Sequence, residues 1–247
     1  MAKKTTKSAK KAPAKKSPKK PAAATLKRRR ERVNAILPVL DAEHPDAKCS
    51  LDFTSPLELV VATILSAQCT DARVNLTTPK LFEAFPNAAA YVEAGPEAIE
   101  PYIKSCGFFR AKSKSIYSMA KSVVDDFDGE VPRTMNELVK LAGIGRKTAN
   151  VVLGNAFNIN EGMAVDTHVT RLANRLGLTK HPHDAVKIER DLLLIVPQEE
   201  WTQFSHLLIF HGRRVCKAQS PACDQCVIFK QCPSGKKILA KREKAKK

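Results

Sequence analysis

Apolar residues recur at helical spacing along most of the chain, and no segment alternates apolar and polar positions as a half-buried strand would. Val33, Ile36, Leu37 and Leu40 form one face of a helix over 26–42. Pro38 lies inside it, and its missing N–H predicts a kink or an early stop. Ser55-Pro56-Leu57-Glu58 sets a cap, a proline and an acid in the order that opens a helix, here over 57–67. That helix is apolar nearly all round (Leu59, Val60, Val61, Ile64, Leu65), which assigns it to the centre of a domain. Thr70 caps the next helix, which runs through Phe85 and is ended by Pro86. A short helix follows from Pro96 to Ser105, then a glycine turn with two aromatics, Gly107-Phe108-Phe109-Arg110, then a helix over 111–127. Later helices cover 167–176, closed by Gly177, 184–196, closed by Pro197, and 199–212. The pattern predicts an all-α chain of at least nine helices with disordered ends.

One stretch organises the rest: LAGIGRKTANVVL, residues 141–153. Thr134 and Glu137 stand at capping-box spacing ahead of it. Gly143 and Gly145 interrupt the helical pattern, and Arg146 resumes it. Glycines in such a turn bare backbone N–H groups, and the following helix points its positive end at the same place, which makes an anion site suited to a phosphate. Lys147 sits at that helix start. Taken alone, the motif also describes an ordinary helical hairpin with a surface lysine.

Charge narrows the partners. The chain carries +17 overall, but residues 1–30 hold thirteen Lys and Arg and no acid, and 236–247 hold seven against Glu243. The intervening 31–235 is therefore at −2. Basicity in the tails favours a polyanion partner without saying how the core grips it. Residues 1–25 lack apolar periodicity and read as a disordered basic tail, a source of non-specific DNA affinity, an address, or simply a solvated leader. No apolar run is long enough to span a membrane, and the N-terminus lacks the apolar stretch of a secretory signal.

Cys216, Cys223, Cys226 and Cys232 fall within 17 residues with spacings of six, two and five, while Cys49, Cys69 and Cys106 are scattered. Without an export signal the cluster reads as a metal site rather than a disulfide framework. Spacing leaves zinc and an iron–sulfur cluster both open. Lys147 is a candidate nucleophile: partial burial, the helix end and Arg146 would each favour the neutral amine that attacks a sugar C1′ to form a Schiff base. Asp166, at a helix start, is either a cap or a carboxylate for an oxocarbenium-like transition state, and the two roles are compatible. His168 and His211 read as core histidines or as DNA contacts, and Phe108 and Phe109 as core or as a wedge between bases.

Ser66-Ala67-Gln68-Cys69-Thr70-Asp71, the 141–153 hairpin, Ala164-Val165-Asp166-Thr167-His168, His211-Gly212-Arg213 and the cysteine loop together closely resemble the endonuclease III family, bifunctional glycosylases of the helix-hairpin-helix superfamily. The resemblance spans about residues 26–233. It implies a helical barrel domain near 50–160 and a discontinuous domain of 26–49 with 161–233, carrying a [4Fe–4S] cluster on Cys216, Cys223, Cys226 and Cys232, with a basic tail over 234–247. It implies that Lys147 is the Schiff-base lysine and Asp166 the catalytic aspartate. It likewise implies that Gly143 and Gly145 bind phosphate, that Gln68 fills the gap left by an extruded base, and that Phe108 wedges the opposite strand. With Arg146, His168 and His211, these are the expected DNA-binding residues. The implied substrate is double-stranded DNA with oxidised pyrimidines or abasic sites, cut by β-elimination. The cluster would hold a basic loop (Arg213, Arg214, Lys217, Lys230) against phosphates. A cytoplasmic, nucleoid-associated monomer is expected if the source is bacterial. The adenine-removing branch lacks the hairpin lysine, so Lys147 points to a lyase. Three residues depart from the pattern: Ala142 stands where proline is usual, Val139 where some members carry glutamate, and Cys69 where alanine is common beside Gln68.

Overall fold

The caps read from the sequence are made. In the computed structural model, which describes residues 22–245, Ser55 Oγ accepts from Glu58 N at 3.2 Å. Thr70, Asn87, Thr134, Asp166 and Asp184 each accept from the N–H three residues on. Each such cap contributes about 1 kcal/mol. The helices are α1 (Ala23–Glu43), α2 (Pro56–Leu65), α3 (Asp71–Ala84), α4 (Ala88–Ile103), α5 (Phe109–Asp126), α6 (Met135–Leu138) and α7 (Arg146–Ala156). They continue as α8 (Thr167–Arg175), α9 (Ala185–Leu193), α10 (Trp201–Arg214) and α11 (Gly235–Ala245), with short 3₁₀ turns at Lys104–Cys106, Gln198–Glu200 and Phe229–Gln231. No strand occurs among the described residues, so the all-α reading stands. None of the described helices is long and apolar enough to cross a membrane.

Two expectations are corrected and one is extended. Pro38 neither ends nor shortens α1, because Val33, Ile36 and Leu40 on both sides of it are fully buried and packing holds the helix through the missing bond. The helix expected from Pro96 is present as the second half of α4, and a further helical stretch from Ala88 precedes it across a non-helical Gly95 with φ of +77°. The third concerns the ends. Residues 235–245 form a helix instead of a disordered tail, and Ile238 lines a pocket shared with the four clustered cysteines. Lys, Arg, Glu and Ala are strong helix formers, and one apolar contact suffices to dock them. Residues 23–25 likewise belong to α1, while residues 1–21 of the expected N-terminal tail lie outside the described residues.

Buried apolar side chains fall into two clusters. One draws on α2 to α7, from Leu51 to Leu153, with α2 at its centre against α3, α5 and α7. Leu59, Val60 and Leu65 of α2 are fully buried, each contributing on the order of 1.5–3 kcal/mol relative to exposure. The other joins α1 to α8, α9 and α10, from Val33 to Leu208, with Ile228 added. A cleft lies where the two clusters meet.

Candidate active site

The hairpin depends on one glycine. Gly143 has φ of +80°, and a Cβ there would sit 3.3 Å from Ile64 Cγ1, so both conformation and space demand glycine. Gly145 is the N-cap of α7, and no side chain caps this helix. The first N–H groups of α7 therefore stay available to an anion. Gly143, Gly145, Arg146 and Lys147 are all exposed on this face.

Two local expectations change. Lys147 is exposed at the cleft instead of partly buried. Arg146 is committed to Glu189, with Nε at 2.7 Å and Nη2 at 3.0 Å from its two oxygens, which raises the guanidinium pKa. Glu189 is 4% exposed and also accepts from Asn150 Nδ2 at 2.9 Å and Met163 N at 3.3 Å. This carboxylate ties α7, α9 and the segment before Asp166 together. Sequence reasoning missed it; its one signal was an acid on the apolar face of α9, beside Ile188 and Leu192. Glu189→Ala strands these donors, so the urea unfolding midpoint should fall by the equivalent of about 3 kcal/mol.

The cleft brings Lys147 and Asp166 together within about 790 Å³ of empty space, part of it open to solvent. Asp166 Oδ1 caps α8 by accepting from Val169 N at 2.8 Å, which leaves Oδ2 uncommitted. Across the cleft Arg213 on α10 donates to Asp71 Oδ2 at 2.8 Å and to Ser50 Oγ at 2.9 Å. That clasp joins the two clusters at an exposed edge, where such a pair contributes at most about 1 kcal/mol. Arg214 is likewise paired, bidentate with Asp46 at 2.8 and 2.5 Å. Of the expected basic loop, only Lys217 and Lys230 stay exposed outside these ion pairs.

His206 of α10 lines the same cleft and was not anticipated. Its Nε2 lies 2.8 Å from Asn155 Oδ1, and Asn155 Nδ2 donates to Val151 O at 2.8 Å. Burial, aided by Arg213, pushes the imidazole down to about 4 from its usual 6.5. A depressed histidine pKa means that the unfolded chain binds a proton the folded one refuses. Its effect on stability is nil above about pH 6.5 and grows as pH falls towards 4. Wild-type protein should lose about 3 kcal/mol over that window from this residue alone, and His206→Phe should flatten the pH profile of the urea midpoint.

Gln68 and Phe108 occupy the left-handed region, with φ of +53° and +47°. Such strain at non-glycine residues costs on the order of 1 kcal/mol each and is concentrated at functional loops. Both line one open groove together with Gly143, Lys147 and Thr148, and Phe108 is 69% exposed. Beneath them Lys112, 5% exposed, donates to Leu65 O and Cys106 O at 2.8 Å each, tying the two loops to one point. A lysine beside Ser113 and Ile116 on the inner face of α5 was the available hint.

The four clustered cysteines line one pocket with Leu172, Leu176, Ile228, Phe229 and Ile238. Arg175 Nη1 donates to Cys216 Sγ at 3.2 Å, and Arg175 also holds the loop through Lys217 O and Ala218 O at 2.8 Å each. Burial raises the Cys226 thiol to about 11, so only a bound metal centre would keep it as thiolate. No group of three or more His, Cys, Asp or Glu side chains among the described residues converges on a single ion. Zinc needs sulfurs at about 2.3 Å from one point. A four-thiol ring around an apolar pocket fits the donor set of a [4Fe–4S] cluster.

His211 is corrected as a DNA contact. It is 1% exposed, with Nδ1 3.1 Å from His44 Nε2 and Nε2 3.5 Å from Cys226 Sγ. His168 is half-buried against Arg171 Nη2 at 3.0 Å and does not line the cleft. Val139 is exposed at the end of α6, also away from the cleft lining.

Residues 61–198 match the model of the HhH-GPD superfamily of base excision DNA repair proteins. The chain is 51% identical over 206 residues to endonuclease III of Synechocystis sp., covering 83% of this chain and 94% of that one. Among solved structures it resembles a non-covalent endonuclease III–DNA complex, with 42% identity, a TM-score of 0.80 and coverage of 85% of this chain and 98% of that one. A trapped endonuclease III–DNA covalent intermediate, an estranged-adenine complex, matches with the same TM-score of 0.80, identity of 42% and coverage of 85% and 98%.

Proposed function

The chain belongs to the endonuclease III family of the HhH-GPD base excision repair superfamily, and from that membership we propose that Lys147 and Asp166 carry its DNA glycosylase and AP lyase activities on oxidised pyrimidines. The observation that carries the assignment is the meeting of Lys147 and Asp166 in one cleft beside an uncapped helix N-terminus.

A duplex laid across the cleft sets a phosphate on the N–H groups of Gly143, Gly145 and the start of α7. The damaged nucleotide swings into the cleft, Gln68 takes its place in the stack, and Phe108 wedges the opposite strand. Asp166 accepts a proton from the Lys147 ammonium and stabilises positive charge at the sugar. Lys147 Nζ bonds to C1′ as the C1′–N bond breaks, and the base leaves with the electron pair and is protonated. The C1′–O4′ bond then breaks, O4′ takes up a proton as the sugar ring opens, and the resulting iminium acidifies the C2′ proton. Its removal expels the 3′ phosphate by β-elimination, and water then hydrolyses the imine to release Lys147.

Cys216, Cys223, Cys226 and Cys232 would hold a [4Fe–4S] cluster, whose contribution there is a cross-link fixing the 216–232 loop. The two apolar clusters support a division into domains of 50–160 and of 26–49 with 161–233. Double-stranded DNA is the partner, bound by a monomer. Single-turnover assays on thymine-glycol and abasic duplexes test the reading. Base release and strand scission on the first support it; scission only on the second reduces the enzyme to an AP lyase.

A further inference from the structure

Two buried imidazoles stand in line behind one of the clustered thiols. His44 follows the last turn of α1 and is 2% exposed; His211 belongs to α10 and is 1% exposed. His44 Nε2 lies 3.1 Å from His211 Nδ1, and His211 Nε2 lies 3.5 Å from Cys226 Sγ. His44 Nδ1 is buried and has no hydrogen-bond partner among the described residues.

That orphaned atom decides where the protons sit. A buried N–H without a partner is rarer in folded proteins than an unfilled lone pair. His44 Nδ1 is therefore the bare nitrogen, and the proton of His44 is on Nε2. It is donated to His211 Nδ1, which must accept it. The proton of His211 is then on Nε2, the atom that faces Cys226. The opposite order, with the thiol donating to His211 and His211 to His44, would leave an N–H stranded on His44 Nδ1. A second proton on either ring would strand the same atom. The line of donors thus runs one way, from His44 through His211 to the sulfur, and ends on a group that has only to accept.

Resting on the reading of the four cysteines as ligands of an iron–sulfur cluster, we infer that His211 is a potential-setting residue. Its Nε2–H donates to the Cys226 ligand sulfur, and His44 holds it in the tautomer that does so. A ligated thiolate offers lone pairs alone, which matches the N–H that the protein presents. A donor at a ligand sulfur favours the state holding one more electron, and so raises the reduction potential.

Protein-film voltammetry of the cluster-loaded chain tests this, the electrode supplying the electron. His211→Phe keeps a buried ring and removes the donor. It is expected to shift the oxidised-to-reduced ratio at fixed potential by about tenfold, a midpoint lowered by about 59 mV for a one-electron couple. His211→Gln, whose amide still donates, should return at least half of that shift. His44→Phe leaves the donor but no longer imposes its tautomer, and should shift the ratio in the same direction by about threefold. A purely structural histidine would speed loss of cluster absorbance in every variant while Gln and Phe shifted the potential alike, or not at all; either potential result overturns the inference. Should the variants fail to load, wild-type protein with isotope-labelled histidine decides by pulsed electron paramagnetic resonance of the reduced cluster. One weakly coupled ring nitrogen is expected, and its absence overturns the inference. Metal analysis that finds zinc, or no iron, in the wild type sinks the cluster reading, and this inference with it.

Discussion

Lys147→Ala is expected to abolish borohydride trapping on a thymine-glycol duplex and to lower strand scission by on the order of 10³-fold or more, the scale seen when a covalent nucleophile is removed. The fold should survive unchanged. Lys147 is exposed at the start of α7, and a surface substitution of this kind shifts stability by no more than about 0.5 kcal/mol. DNA affinity should fall far less than rate. The proposed phosphate site is backbone N–H, and Gly143, Gly145 and the α7 terminus are untouched by the change. A variant with tight binding and no adduct is therefore the expected phenotype.

Asp166→Asn separates the two readings of that residue. Asparagine caps helices as well as aspartate does, so the bond to Val169 N and the stability of α8 should be retained. The carboxylate charge is lost, and with it both the proton acceptor and the stabilisation of the sugar cation. Scission and base release should fall by about 10²–10⁴-fold. Thermal unfolding should move little. Asp166→Ala, by contrast, should lose activity to a similar extent and also about 1 kcal/mol of stability, because it removes the cap. If Asp166→Asn kept full activity while Asp166→Ala unfolded early, the residue would be a cap alone.

Much of this site could be read from the chain because it is local. The hairpin glycines, Lys147, Asp166 and the cysteine spacing each declare themselves within a dozen residues, and the caps at Ser55, Thr70 and Thr134 set helix starts to within a residue or two. What escaped is long-range. Glu189 meets Arg146 from 43 residues away, and His206 meets Asn155 from 51. His211 reaches His44 across 167 residues, which is why it could be read as a surface contact. Charge counting failed for a related reason: Arg146, Arg213 and Arg214 look free in the sequence, yet each is held by a carboxylate distant in the chain. The α11 helix was missed because its docking rests on few apolar residues, with no periodic face to announce it.

The same distinction relocates the question of lesion choice. Val139, a departure just ahead of the hairpin, is exposed outside the cleft lining, whereas His206 and Cys49 line it. The cleft wall is thus built in part by α10 and the link before α2, while in the proposed function the hairpin supplies phosphate grip and nucleophile.

The central claim is that Lys147 is the amine that bonds to the sugar. Its most direct test is peptide mapping of the borohydride-trapped complex formed on thymine-glycol duplex. The prediction is a single adduct on the peptide containing Lys147. An adduct on another lysine or on the N-terminal amine, or base release with no adduct at all, would contradict it.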